Sequence, residues 1–220
     1  MSRLTRWWWV RHAPVTCNQG RMYGASDPDA DIDDPDAYAG LAGFLPAGAQ
    51  WVTSHLSRAR QTAQAIAAAG LDIGAPLVDP AFGEQNFGDW QGNRYEDIPA
   101  LAVPHLHQFW FTTVDHAPPG GESFNQVMAR VSGAIERLNQ AHSGRDVVVV
   151  SHGGPIRAAL AHGLGLDGDG AVGFVTDNLS VTRLDHVETP GAGRSWQARF
   201  VNRVPRRSNS PAPAAPDVLA

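Results

Sequence analysis

The sequence predicts an α/β protein, a three-layer α/β/α sandwich with a mainly parallel central sheet and a small lid insertion. Three observations carry that reading. Val147 to Val150 is a run of four valines, the pattern of a parallel strand covered on both faces. Strand-like and helix-like segments alternate along the chain, as in sandwiches whose parallel strands are joined by helices. Phe124, Val127, Val131, Ile135 and Leu138 recur at three- and four-residue steps, an apolar stripe that a long helix buries against a sheet.

In chain order, Trp7 to Val10 is aromatic and β-branched and reads as the first buried strand. The acidic, proline-interrupted stretch from Asp27 to Asp36 reads as a loop. Tyr38, Leu41, Phe44 and Leu45 keep helical spacing until Pro46 to Gly48 stop them. Gln50 to Ser54 predicts a second strand, and Ser57 is the expected N-cap of a helix from about Arg58 to Ala69 closed by Gly70. Gly83 to Gly121 mixes glycine, proline and aromatics and reads as a lid with one or two short helices. After the long helix, Glu122 to Ala141, and the valine strand come a Gly-Gly-Pro turn and a helix from about Ile156 to Leu164. Asn178 to Leu184 and Trp196 to Val201 alternate as strands near one sheet edge. Residues 1–204 are therefore expected to form one domain with its lid at about 85–121, and the proline-rich stretch 205–220 a disordered tail.

A chain of 220 residues with 43% hydrophobic and 18% charged residues has the composition of one globular domain. Its net charge of −5 gives no basic surplus for nucleic acid. All 17 basic residues are arginine, which excludes Schiff-base, pyridoxal phosphate and Walker A chemistry, because each needs a lysine amine. Arginine still offers a planar fork suited to phosphate. Cys17 is the sole cysteine, so neither a disulfide framework nor a cysteine zinc cluster is available, and a cytoplasmic location is expected. No stretch of about twenty apolar residues offers a membrane span. Assembly is left open between a monomer and a homodimer.

The first strand ends in Arg11-His12 and the valine strand in Ser151-His152-Gly153-Gly154, so both histidines fall where an open α/β sheet places its ligands. A third strand end delivers Ser54-His55-Leu56-Ser57-Arg58, which puts a guanidinium near the same edge. The other seven histidines read as surface or core residues, and Trp90, Tyr95, Phe109, Trp110 and Phe111 as lid packing. The acidic loop fails as an EF-hand, because Ile32 and Tyr38 stand where Gly and Glu are needed. A cysteine phosphatase fails too: Tyr23 stands six residues after Cys17, where an Arg is required.

With these blocks in view, the chain resembles the histidine phosphatase (phosphoglycerate mutase-like) superfamily. Arg11-His12-Ala13 matches its opening Arg-His-Gly, followed by Asn18, Gly20 and Arg21; Ser54, Leu56, Arg58, Ala59, Gln61, Thr62 and Ala63 match a second block. Glu84, Phe87, Gly88, Trp90 and Gly92 match a third, and Pro119-Gly120-Gly121-Glu122-Ser123 and Ser151-His152-Gly153-Gly154 complete the order. Ala13 departs from the family's Gly, and Val15 stands where a Thr often helps bind phosphate.

The resemblance implies a metal-independent, cofactor-free phosphatase acting on a small phosphomonoester. His12 would be the nucleophile, Glu84 the general acid, Arg11, Arg58 and His152 would neutralise the transferring group, and Asn18, Arg21 and Gly153 would bind substrate. Phosphomonoester hydrolysis needs accelerations of up to roughly 10²¹, and a dianion repels nucleophiles, so several fixed cationic donors are required. Flanking guanidinium groups should also keep His12 unprotonated. Gln85-Asn86-Phe87-Gly88 after the acid resembles the phosphatase branch, α-ribazole phosphatases of cobalamin assembly included, more than the mutases' Arg-His-Tyr-Gly. Mutase-type transfer and a non-catalytic phosphate or phosphopeptide binder are the rival readings.

Overall fold

The structure is a computed structural model that describes residues 2–16, 19–191 and 193–205. Asn18 and residues 206–220, on which a substrate contact and most of the expected tail fall, lie outside the described residues.

Strand β1 (Arg3–Arg11) shows why a hydrophobic run with period two makes a central strand. Trp7 and Trp9 face one side, where their rings stack at 5.6 Å, while Trp8 and Val10 face the other. Helix α1 (Pro35–Phe44) starts on Asp34, whose carboxylate accepts from the Ala37 amide. Then follow β2 (Gln50–Thr53), α2 (Ser57–Ala68), the two-residue β3 (Leu77–Val78) and the lid helix α3 (Ile98–Ala102). Next come α4 (Phe124–Ala141), β4 (Asp146–Ser151), α5 (Gly153–Leu164), α6 (Gly168–Val172), β5 (Val181–Thr189) and β6 (Gly193–Arg203).

The sheet order is β3-β2-β4-β1-β5-β6. The first four strands run parallel and the last two antiparallel, so the expected mainly parallel sheet carries an antiparallel edge. One face packs Trp7, Trp9, Val147 and Val149 against α4 and α5. The other packs Trp8, Val10, Val148 and Val150 against α1 and α2. The expected three layers follow from this alternation.

Two expected boundaries need correction. Ser57 is the first residue of α2 and does not cap it; its amide and hydroxyl donate to the Asp27 carboxylate at 2.6 and 2.8 Å, so the acceptor comes from a loop thirty residues upstream. Gly153-Gly154-Pro155 is the first turn of α5, not a separate turn, and that helix therefore begins directly on His152. Pro155 is tolerated there because its missing N–H has no intrahelical partner to lose. The short β3 and α6 lie beyond what periodicity resolves, since neither spans enough residues to repeat a pattern.

The lid has a small core of its own, Met22, Phe87, Trp90, Ile98 and Ala102. Its neck closes where Gly88, at φ +51°, meets the backbone of Pro119 to Gly121. A Cβ at Gly88 would lie 2.0 Å from the Pro119 carbonyl oxygen and 2.5 Å from the Gly121 nitrogen. Both obstacles are backbone, so relief requires moving the chain. Gly88→Ala is accordingly expected to destabilise the protein by about 1–3 kcal/mol, read as a lower urea midpoint; an unchanged midpoint would show that the neck is not packed as described.

Candidate active site

Strands β1 and β4 are parallel neighbours in register, Val10 beside Val150 and Arg11 beside Ser151. The next residues, His12 and His152, therefore leave the carboxyl edge side by side. Their ring centroids are 4.9 Å apart, both side chains are fully buried, and the His12 amide donates to the Ser151 carbonyl at 2.9 Å. Thr62 fixes the turn after the nucleophile candidate: its hydroxyl donates to the Arg58 carbonyl and accepts from the Ala13 amide. Asn178 donates to the His12 carbonyl at 2.7 Å.

Helix α2 starts four residues after β2 and so brings Arg58 in its first turn to the same edge. Its Nε donates to His12 Nε2 at 3.3 Å, and its two terminal nitrogens donate to the carbonyls of Ser26 and Gly24 at 2.7 Å each. The guanidinium also lies 4.9 Å over the Tyr23 ring. Three hydrogen bonds and the Tyr23 ring on one face thus fix the orientation of the cation.

One contact assigns the proton on His12. His12 Nδ1 lies 2.6 Å from the Ala13 carbonyl oxygen, an acceptor only, so Nδ1 carries the hydrogen and Nε2 the lone pair. Ser54 Oγ accepts from the Leu56 amide and lies 2.7 Å from His152 Nε2. The other ring nitrogen of His152, Nδ1, is buried and has no hydrogen-bond partner among the described residues. Burial, then the charges of Arg11 and Arg58, push the His12 pKa well below its ordinary value; burial, then His12, Arg58 and Arg11, do the same to His152. Both rings are thereby held in the neutral form.

Arg11 donates through a terminal nitrogen to the Thr176 carbonyl, while its buried Nε has no partner among the described residues. Glu84 leads into the lid. Its Oε1 accepts from the Gly154 amide at 3.0 Å and from the Gln85 amide at 2.9 Å. A Cβ at Gly154 would lie 2.5 Å from that oxygen, so glycine there is what lets helix α5 approach the carboxylate. The backbone bearing Glu84 is clamped by Arg130 of α4, which donates to the Ala81 and Glu84 carbonyls and pairs with both oxygens of Glu122.

Arg11, Glu84 and Gly153 open onto a cavity of about 640 Å³. Tyr23, Phe87, Tyr95, Phe109, Trp110 and Phe111 wall it on the lid side. Arg11, His12, Arg58, Glu84 and His152 are brought to this edge as the sequence predicts. Arg21 is not: it pairs with Arg94 through its backbone, and its exposed guanidinium donates to the Gly92 carbonyl at 2.7 Å. Val15 likewise pairs through its backbone, with Ala30. Sequence reasoning passed over Arg157, which also lines the cavity; its place one helical turn after Gly153 was the available signal.

The chain matches the histidine phosphatase superfamily (branch 1) over residues 7–199. It is 34% identical over 205 residues to the bifunctional protein Rv2228c of Mycobacterium tuberculosis, covering 91% of this chain but only 54% of that longer one. With the glucosyl-3-phosphoglycerate phosphatase of Mycolicibacterium vanbaalenii it shares 36% over 180 residues, 76% of this chain and 77% of that one. Among solved structures, a mycobacterial glucosyl-3-phosphoglycerate phosphatase, Rv2419c, in complex with VO3 superimposes with a TM-score of 0.75 at 29% identity, covering 90% of this chain and 98% of that chain.

The strongly depressed imidazoles of His12 and His152, with His142 and His162 shifted in the same direction, make stability depend on pH. The unfolded chain binds their protons near pH 6.5 while the native state does not, so stability falls as pH drops below that value, by up to about 1.4 kcal/mol per pH unit for each proton. Urea unfolding at pH 7.5 and 5.5 is expected to show this loss, and His12→Asn with His152→Asn to reduce it; an equally steep loss in the double variant would mean that neither ring is held neutral.

Proposed function

The chain belongs to branch 1 of the histidine phosphatase superfamily, and on that premise we propose that it hydrolyses a small phosphomonoester through a phosphohistidine on His12. The observation that carries the reading is the convergence of two buried imidazoles with ring centroids 4.9 Å apart and a guanidinium 3.3 Å from His12 Nε2, beside an unpartnered ring nitrogen of His152 among the described residues. That set accepts a phosphoryl dianion and attacks it.

In the first step the Nε2 lone pair of His12 attacks phosphorus and the ester P–O bond breaks. The leaving oxygen takes the proton of the Glu84 carboxyl group, while Arg58, Arg11 and the Nδ1–H of His152 meet the three non-bridging oxygens. In the second step Glu84, now a carboxylate, takes a proton from water. The resulting hydroxide attacks phosphorus, the P–N bond breaks, and phosphate leaves with Nε2 again unprotonated. The sum is ester plus water to alcohol plus phosphate, with no metal in either step. Glu84 acts as acid and then as base, a double duty that accounts for the helix amide and the Arg130 clamp fixing its position.

A second reading concerns the substrate. The aromatic walls of the cavity favour a flat leaving group, for which α-ribazole 5′-phosphate, and hence a step of cobalamin assembly, is the candidate named by the sequence. A cytoplasmic location, a single domain over residues 1–204 and, where the chain self-associates, a homodimer belong to the same proposal.

Purified protein is expected to release phosphate from p-nitrophenyl phosphate in excess EDTA. His12→Ala should abolish release, and Glu84→Gln should lower turnover of alkyl esters by about 10²–10⁴ with a much smaller effect on p-nitrophenyl phosphate, whose leaving group needs little protonation. Activity that requires added metal, or that survives His12→Ala, would contradict the mechanism.

A further inference from the structure

Residues 176–180, in the connection from α6 to β5, grip the end of β1, and the phosphoryl transfer described above gives that grip no part. The Arg11 amide donates to the Ser180 carbonyl and the Arg11 carbonyl accepts from the Leu179 amide, each at 3.0 Å. The Arg11 guanidinium donates to the Thr176 carbonyl, and the Asn178 side chain donates to the His12 carbonyl at 2.7 Å. One short turn thus holds two neighbouring residues of the proposed mechanism.

The turn does not keep this shape by local preference. Leu179 stands at φ +60°, in the left-handed region that is costly for a bulky L residue. Such a conformation persists only where its neighbours over-determine it. Inside the turn the Ser180 amide donates to the Asp177 carbonyl at 3.1 Å. From outside, Asn202 of β6 clamps it: Oδ1 accepts from the Asp177 amide at 2.6 Å, and Nδ2 donates to the Asp177 carboxylate at 2.8 Å. A side chain that meets both the backbone and the carboxylate of one residue leaves it little room to turn.

A bulge aims Asn202 at Asp177. Val181 pairs with Arg203 and Arg183 with Phe200, so β6 sets two residues, Val201 and Asn202, against Thr182 alone. Asn202 takes φ +56° there, a conformation asparagine tolerates better than most residues, and its amide donates to Thr182 Oγ1 at 3.1 Å. The strand that carries Asn202 lines no part of the cavity.

We propose that Asn202 is a positioning residue for the phosphoryl transfer: by clamping Asp177 it fixes Asn178, and through it the backbone of His12. The role rests on the phosphatase reading. Arg58 is held by the 23–27 loop and His152 by Ser54, contacts in which the turn has no share. Loss of the clamp should therefore spoil the attack on phosphorus more than the binding of the phosphoryl group.

Exchanging the partners tests it. Asn202→Asp sets two carboxylates against each other and should lower kcat for p-nitrophenyl phosphate about tenfold, the scale of a displaced reacting group, with KM held within about twofold. Asn202→Gly, which keeps the positive φ and removes the side chain, should be similarly slow. Asn202→Asp combined with Asp177→Asn again sets one amide opposite one carboxylate, and should return kcat to within about twofold of the wild type. Rates are taken well below each variant's unfolding midpoint, so that lost aim is read apart from lost fold. An unchanged kcat in Asn202→Gly, a loss carried by KM alone, or a combined variant as slow as Asn202→Asp overturns the positioning role, while wild-type turnover leaves the phosphatase reading intact. Should one variant fail to fold, the others decide the matter. Absence of turnover by the wild type overturns the phosphatase reading, and the positioning role with it.

Discussion

Everything at the carboxyl edge depends on the buried contact between the Arg58 guanidinium and the His12 ring. A guanidinium 3.3 Å from Nε2 is tolerable only if that nitrogen keeps its lone pair, because two cations in contact inside a protein repel strongly. Burial acts in the same direction. In the proposed mechanism this contact serves the chemistry, since the atom proposed to attack phosphorus is the one the arginine keeps unprotonated. It also dictates the surrounding chain. The remaining guanidinium nitrogens need acceptors, which Gly24 and Ser26 supply, and Asp27 in the same loop ties itself to the start of α2.

A second scaffold holds Glu84, the proposed acid. Glu84 sits where the core passes into the lid, a place that would let a carboxylate drift. Arg130 prevents this by gripping the carbonyls on either side of the turn while pairing with Glu122, whose own carboxylate accepts from the Asn86 amide. From the other side the Gly154 amide meets the carboxylate, at an approach only glycine permits. His12 is positioned by the sheet and Glu84 by the helices packed on it, so the proposed nucleophile and acid rest on different layers of the sandwich.

The layers and the strand-end histidines were legible because period-two and period-3.6 patterns are strong in Trp7 to Val10, Val147 to Val150 and the Phe124 to Leu138 stripe, and because parallel strands bring consecutive carboxyl ends together. Motif order then pointed to Glu84 and Arg58. What escaped was long-range. Asp27 bonds Ser57 across thirty residues, so local spacing suggested a self-capped helix. Arg21 looked like a phosphate ligand by its place in the motif, yet its backbone pairs with Arg94 and carries it to the base of the lid. Arg157 and Thr176 lie in a helix turn and an aperiodic connection that only the fold brings beside Glu84.

The central claim is that Nε2 of His12 carries the phosphoryl group during turnover. The direct measurement is to quench the enzyme with ³²P-labelled ester in alkali, map the labelled peptide and assign the phosphorylated ring nitrogen by phosphorus NMR. The structure predicts label on residue 12 alone, at Nε2, since Nδ1 is occupied by its hydrogen bond to Ala13. Label on Nδ1, on His152 or on a carboxylate would contradict the account.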